Sequence, residues 1–366
     1  MMVGMSLLDA VVIGAGQAGL AAAWALRRHG LEPLLLEAGG SPTGSWSRYY
    51  DSLTLFSPAR FSELPGLAFG GDPDRYPTRD EVVAYLGAYA QRLGVPIEVN
   101  TPAVAVTRTA DGFVTRASDG REFVSRLVIS AAGGFGAPYR PALPGLDAFA
   151  GTVWHSAEYR GPVPLAGRRV VVVGAGNSAV QIAVELAEVA AVTLASRAPV
   201  RFMPQRPLGR DLHEWLHRTG VERLPLGRLL RGKTVRVLDD GRYRAAIAAG
   251  RPDWRPMFTQ LTPEGVVWAD GTSEPVDVLL LATGYRPQAT HLADCAGLDG
   301  GGALDATGRP LHDRGVSTTV AGLGYVGLEG QRGIASATLR GVGRDAEHVV
   351  RRLAAGVRTA VPVEAR

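Results

Sequence analysis

Twice in this chain a β-branched run passes directly into a glycine-rich turn and then into an alanine-rich stretch. Val11–Ile13 leads into Gly14-Ala15-Gly16-Gln17-Ala18-Gly19, and Val170–Val173 leads into Gly174-Ala175-Gly176-Asn177-Ser178-Ala179. A strand apolar on both sides that turns tightly into a helix opens a βαβ unit, and the free N–H groups at that helix start attract a pyrophosphate. Two such openings predict an α/β protein with two Rossmann-like dinucleotide-binding domains, the second inserted into the first. The expected division is 1–150 and 283–366 for the outer domain and 151–282 for the inserted one. A chain of 366 residues is long enough for both.

Composition excludes several other classes. With 46% hydrophobic and 20% charged residues the chain is globular, not disordered. A net charge of +4, with no dense basic run, gives a nucleic acid no stripe to bind. Cys295 is the single cysteine, so an intramolecular disulfide, a Cys-x-x-Cys pair and a cysteine-rich zinc site are all excluded. No metal is expected, and redox chemistry has to come from a bound cofactor. Met1–Asp9 has no cationic leader before an apolar stretch, and Ala10–Leu26 is interrupted by Gln17 and three glycines before Arg27, Arg28 and His29 close it. A cytoplasmic protein without a membrane anchor is expected.

The remaining elements fit this plan. Leu34–Leu36 and Val192–Leu194 read as the strands that follow each glycine unit. Thr78–Leu93 reads as a helix with an N-cap threonine, Glu81 in its first turn and Gly94 at its end. Residues 97–129 read as hairpin-like β structure around Asp111-Gly112 and Asp119-Gly120, and Gly265–Asp277 as a second β patch. Pro138–Pro144 and Gly161–Gly167 read as connectors.

The residues closing each second strand separate the two sites. Glu37, followed by Ala38, places a carboxylate where a ribose diol donates hydrogen bonds. Ser196 and Arg197 stand at the equivalent place in the second unit, where a hydroxyl and a guanidinium suit the 2′-phosphate of NADPH better than a carboxylate does. NADPH is therefore expected over NADH; the other reading of Arg197 is a solvated surface arginine.

Between the two glycine motifs, Phe149, Gly151, His155 and Tyr159 spell FxGxxxHxxxY. This resembles the fingerprint of flavin-containing monooxygenases, and the tyrosine ending resembles the N-hydroxylating branch more than the Baeyer–Villiger branch. Ala282-Thr283-Gly284-Tyr285 is similar to that family's ATGY segment, and Gly44-Ser45-Trp46 to its GxW turn. The resemblance spans residues 9 to about 345. It implies FAD on Gly14, Gly16, Gln17, Ala18, Gly19, Glu37, Ala38, Ser45 and Trp46, and NADPH on Gly174, Gly176, Asn177, Ser178, Ala179, Ser196, Arg197, Thr283 and Gly284. It places His155 in the interdomain linker, where the alternative is a purely structural histidine. Gly327–Ala335 would lead into a helix facing the flavin, with Gln331 the nearest side chain or else a solvent-facing loop residue. The activity implied is NADPH-dependent reduction of FAD, formation of a C4a-(hydro)peroxyflavin from O2, and oxygenation of a small soft nucleophile such as a thioether, an amine or indole. Baeyer–Villiger oxygenation of ketones is the alternative within the class, and a non-catalytic FAD/NADP-binding regulatory protein the alternative outside it. A flavoprotein disulfide reductase needs a cysteine pair that is absent. Many relatives carry an asparagine after the GxW turn; here Phe56 or Ser57 takes the approximate place. The natural substrate and the oligomeric state, a homodimer included, stay open.

Overall fold

Both glycine units form where the sequence puts them. The computed structural model describes residues 7–224, 236–286 and 289–359. Strand β1 (Leu8–Ile13) runs into α1 (Gln17–Arg28) and returns as β2 (Pro33–Leu36), parallel to β1 with Val12 opposite Leu35. After α2 (Arg79–Leu93), strand β3 (Ile97–Glu98) extends the same edge. Then β4 (Ala103–Thr109), β5 (Gly112–Ala117) and β6 (Glu122–Ser130) form an antiparallel meander. Its last strand pairs in parallel with β1, so the hairpin region is joined to the first sheet instead of standing apart from it.

The second sheet is wholly parallel. It consists of β7 (Thr152–His155), β8 (Arg169–Val173), β9 (Ala191–Ser196), β10 (Asp253–Pro256) and β11 (Val278–Leu281). In space the order is β10, β9, β8, β11, β7. Helices α3 (Asn177–Leu186), α4 (Leu212–Thr219) and α5 (Arg242–Ala248) belong to this stretch of chain. The chain then returns to the first sheet, where β12 (Leu323–Tyr325) pairs in parallel with β6 and α6 (Leu339–Thr359) closes the described part. One sheet is thus built from both sides of the other in sequence.

Burial on both faces explains the unbroken apolar runs. Val170–Val173 and Val278–Leu281 are buried throughout, with α3 on one side and Phe258, Leu261 and Trp268 on the other. Helix α1 meets the first sheet through Ala18, Ala21, Ala22 and Ala25, whose small side chains permit close approach, while buried Leu20 and Leu26 each stabilise by about 1.5–3 kcal/mol. Helix α6 packs on the same layer through Val342, Ala346, Val349, Val350 and Leu353, one face of a helix by their spacing. Helix α2 starts at Thr78, whose hydroxyl accepts from Glu81 N–H at 3.3 Å while the Glu81 carboxylate accepts from Thr78 N–H at 2.8 Å. No described helix is long and apolar enough to cross a membrane.

Candidate functional site

The first loop is fixed by its own backbone. Gly14 N–H donates to the Leu36 carbonyl at 2.7 Å, and a Cβ on Gly19 would lie 1.8 Å from the Gly14 oxygen, so the helix can start this close to the strand only with glycine there. Glu37 is buried at the end of β2, accepting from Ala15 N–H at 2.7 Å and Gly39 N–H at 2.8 Å. Ala38 beside it is exposed. Helix α1 has Gly16 as N-cap and no side-chain cap, which leaves its first N–H groups for an anion.

Three motifs read separately in the sequence meet on this loop. A Cβ on Gly44 would come within 2.9 Å of Gly16 Cα, so the GxW turn lies directly against the glycine loop. Trp46 Nε1–H donates to Gln17 Oε1 at 2.8 Å, and Gln17 Nε2–H donates to the Ala337 carbonyl at 2.6 Å. Ser45 and Tyr49 hydroxyls are 2.8 Å apart, with the Tyr49 ring edge-on to Trp46. Gly327 packs against Ala18.

Two expectations for the C-terminal segment need correction. The helix begins at Leu339, not directly after Ala335. Gln331 faces neither solvent nor an open pocket: it is buried, its Nε2–H donates to the Tyr325 carbonyl at 2.9 Å, and its Oε1 accepts from Leu328 N–H at 3.3 Å. A loop that doubles back on itself needs its own peptide groups satisfied, and Gln331 does this.

At the second loop, a Cβ on Gly174 would lie 2.5 Å from the Ala282 carbonyl and 2.9 Å from the buried Ala179 Cβ, whereas one on Gly176 would meet nothing within 4 Å. Gly176 is the N-cap of α3, again with no side-chain cap, and the neighbouring Asn177 Oδ1 is buried without a hydrogen-bond partner. An uncapped helix start, open space at the central glycine and an orphaned acceptor together describe a ligand cradle. Arg197 is exposed at the end of β9. Ser196 departs from expectation: it is buried, donating to the Ala198 carbonyl at 2.7 Å and accepting from Trp254 Nε1–H at 2.9 Å. Its hydroxyl is taken up by the turn itself and by Trp254.

The fingerprint residues form the strap between the sheets. The Phe149 ring lies over Gly151, where a Cβ would overlap the ring at 2.3 Å. Tyr159 is buried and donates to Glu185 of α3 at 2.7 Å. His155 is fully buried; its Nδ1 accepts from Ala157 N–H at 3.1 Å, which leaves Nε2–H to donate to the Gly284 carbonyl at 3.0 Å. Gly284 also accepts from Tyr139 N–H at 2.9 Å, and the Thr283 hydroxyl donates to the Tyr139 carbonyl. His155 thereby ties the first strand of the second sheet to the segment that leaves its last strand.

This strap has a pH consequence. Burial holds the His155 imidazole below its usual value despite the hydrogen bond to Gly284, and burial depresses His291, whose Nε2 lies 3.0 Å from the Ser130 hydroxyl, to about 4. The unfolded chain takes up these protons below about pH 6.5 and the folded protein does not, so stability is complete above that pH and falls as the pH drops toward 4. Urea unfolding between pH 8 and 4 is expected to show the His291 share, on the order of 3 kcal/mol, and His291→Gln to flatten that part of the slope. An unchanged slope would show that His291 titrates alike in both states.

The segment following β9 packs against the stretch that carries Phe56 and Tyr76. Asp211 accepts from His213 Nδ1–H at 2.8 Å, Tyr76 hydroxyl at 2.6 Å and Gln205 Nε2–H at 2.7 Å. Burial opposes its ionisation, but hydrogen bonds from His213, Tyr76 and Gln205 outweigh it and hold the carboxyl at about 2. His213 is buried and stacks on Phe56, while Ser57 is turned inward against Ser62. Arg60, Asp74, Tyr76, Arg206 and Arg210 line a cleft of about 390 Å³ on the outer side. Arg206 and Arg210 are exposed, whereas His213 is buried.

The comparisons with known proteins agree with this arrangement. A family model described as pyridine nucleotide-disulphide oxidoreductase matches residues 11–224. An uncharacterized CzcO-like oxidoreductase of Geobacillus kaustophilus is 33% identical over 350 residues, 94% of this chain and 97% of that protein. Indole-3-pyruvate monooxygenase YUCCA1 of Oryza sativa subsp. japonica is 32% identical over 76% of each chain. The solved flavin-containing monooxygenase from Stenotrophomonas maltophilia superposes with a TM-score of 0.80 at 35% identity, covering 96% of this chain and 100% of that one. The chain belongs to the flavin-containing monooxygenase family. This monooxygenase is an FAD- and NADPH-dependent oxidoreductase. The disulphide chemistry in the broader family's name does not carry over, because the one cysteine of the monooxygenase, Cys295, is fully buried and burial pushes its thiol up to about 11. Sequence reasoning missed Tyr49, although it follows the GxW turn almost immediately and its hydroxyl meets that of Ser45.

Proposed function

We propose that the protein oxygenates a small soft nucleophile, a thioether sulfur or an amine nitrogen, at a site between the two sheets, with residues 1–150 and 283–366 holding FAD and 151–282 holding NADPH. The observation that carries this reading is the pair of uncapped helix starts, Gly16 and Gly176, on either side of the His155–Gly284 strap. Both cofactors fit the residues present. Glu37 would hold the FAD ribose, the first turn of α1 its pyrophosphate, and the turn bearing Ser45 and Trp46 its ring end. The first turn of α3 and Asn177 would hold the NADPH backbone, with Arg197 on its 2′-phosphate. When bound, the pair supplies hydride transfer to the flavin and activation of O2 by the reduced ring.

The chain's own part is to bind, orient and exclude water. Trp46, Tyr49, Phe135 and Tyr285 follow one another edge-to-face at 5.2–6.0 Å between ring centres, an apolar wall along the junction. His155 stays neutral there and moves no proton, since both its nitrogens face fixed backbone partners. A thioether or amine needs no acid from the protein to attack an activated oxygen, which suits a wall of this kind.

The test is NADPH oxidation by FAD-loaded protein with a simple sulfide, an amine, indole, a cyclic ketone and indole-3-pyruvate, the substrate named for the rice relative, with product and peroxide measured separately. Sulfoxide or N-oxide in step with NADPH use supports the proposal. Product from the ketone alone would make the protein a Baeyer–Villiger enzyme, and peroxide alone with every compound would reject oxygenation of this class.

A further inference from the structure

Tyr50 joins the two dinucleotide sites directly. It follows the turn that bears Ser45 and Trp46, its ring is buried, and its hydroxyl donates to Gln181 Oε1. Gln181 lies in α3, one turn beyond the second glycine loop. Tyr159 reaches the same helix another turn on, at Glu185, with its ring 6.0 Å from that of Tyr50. Gln181 and Glu185 share one face of α3, so two tyrosines from different parts of the chain grip that face together.

On its other side Tyr50 is held just as firmly. The Tyr49 carbonyl accepts from Arg79 Nη1–H at 2.8 Å and Arg160 Nη1–H at 3.2 Å, and Asp51 N–H donates to the Arg160 carbonyl at 2.8 Å. Tyr49 touches Ser45 and Trp46, and Trp46 touches Gln17 at the start of α1. Direct contacts therefore run from Gln181 of α3 through Tyr50 to the first turn of α1. A core tyrosine needs one partner for its hydroxyl, and a backbone carbonyl would serve. Tyr50 instead takes a side chain of the helix that would receive the nucleotide.

We propose that Tyr50 is a positioning residue that transmits occupancy of the second dinucleotide loop to the turn bearing Trp46, and so aligns the flavin ring only when pyridine nucleotide is bound. A phosphate drawn onto the first N–H groups of α3 acts on the helix that carries Gln181, and the Tyr50–Gln181 hydrogen bond carries any shift of that helix to Tyr50. Contiguous contacts of this kind are the physical means by which one site biases another. The inference rests on the assignment of the second loop to NADPH made above.

The test titrates FAD-loaded wild type, Tyr50→Phe, Gln181→Met and the double variant with NADP+, following heat by calorimetry and the flavin band by visible circular dichroism. Wild type is expected to show saturable binding with a change in the flavin band. In Tyr50→Phe and in Gln181→Met the amplitude at saturation should fall about fivefold or more while the calorimetric Kd stays close to wild type, and the double variant should lose nothing further. Full amplitude in Tyr50→Phe, or loss of amplitude only through loss of NADP+ affinity, would overturn the inference. If wild type binds NADP+ without any change in the flavin band, the inference fails and the loop assignment stands. If wild type binds no NADP+, both fail.

Discussion

Gly19→Ala is expected to yield protein that takes up no FAD and is largely insoluble. The added methyl would sit 1.8 Å from the Gly14 carbonyl oxygen, far inside van der Waals contact. That oxygen cannot withdraw, because Gly14 N–H is bound to Leu36 and the Gly14 φ of +99° is a conformation its own lack of a side chain permits. Either α1 moves off the sheet or the loop opens, and both break the layer containing Leu20 and Leu26. The cost exceeds about 4 kcal/mol, a large share of a typical total of roughly 5–15 kcal/mol. Gly176→Ala is the control, since its methyl meets nothing within 4 Å. It should keep wild-type urea stability and yellow colour while weakening NADPH roughly tenfold or more, because the space it fills is where pyrophosphate approaches the backbone. Soluble, flavin-loaded Gly19→Ala would show that the first loop is not packed as described.

Arg197→Ala should raise the KM for NADPH by roughly 10–150-fold while leaving that for NADH nearly unchanged, the span of one lost charge-assisted contact. The expectation is sharper than the sequence alone allowed. The Ser196 hydroxyl is already engaged by Trp254 and Ala198, so no neighbouring group on that strand end compensates for the missing guanidinium. Steady-state kinetics with both nucleotides decides the matter. An equal rise for both would place Arg197 on the part of the nucleotide they share.

The strands of the two glycine units, the glycine turns and helix α2 were legible because each depends on local pattern, apolar runs for doubly buried strands and Thr78 with Glu81 for a helix start, whereas the short strands at Thr152–His155, Asp253–Pro256 and Leu323–Tyr325 carry no such run. Glu37 was legible for the same reason, standing at a fixed place after a recognisable loop. What could not be read was which side chains serve other protein groups. Ser196 and Gln331 look like ligand-binding residues in sequence, yet neighbours elsewhere in the chain, Trp254 and Tyr325, take up their polar atoms. His213 stands among charged residues in the sequence, yet it is buried because Asp211 and Phe56 enclose it. The link from Tyr50 to Gln181 joins residues far apart in the chain, and no periodicity records such a contact.

The Gln17 bridge between Trp46 and Ala337 ties the earliest helix to a carbonyl near the far end of the chain. During synthesis, the side of α1 that meets α6 must therefore wait uncovered until the whole inserted unit has emerged and the residues from Leu323 onward have come home to it. The nascent first layer is the vulnerable species on the ribosome, and loss of the late-arriving strand and helix would harm the oldest part of the molecule more than the part beside the cut.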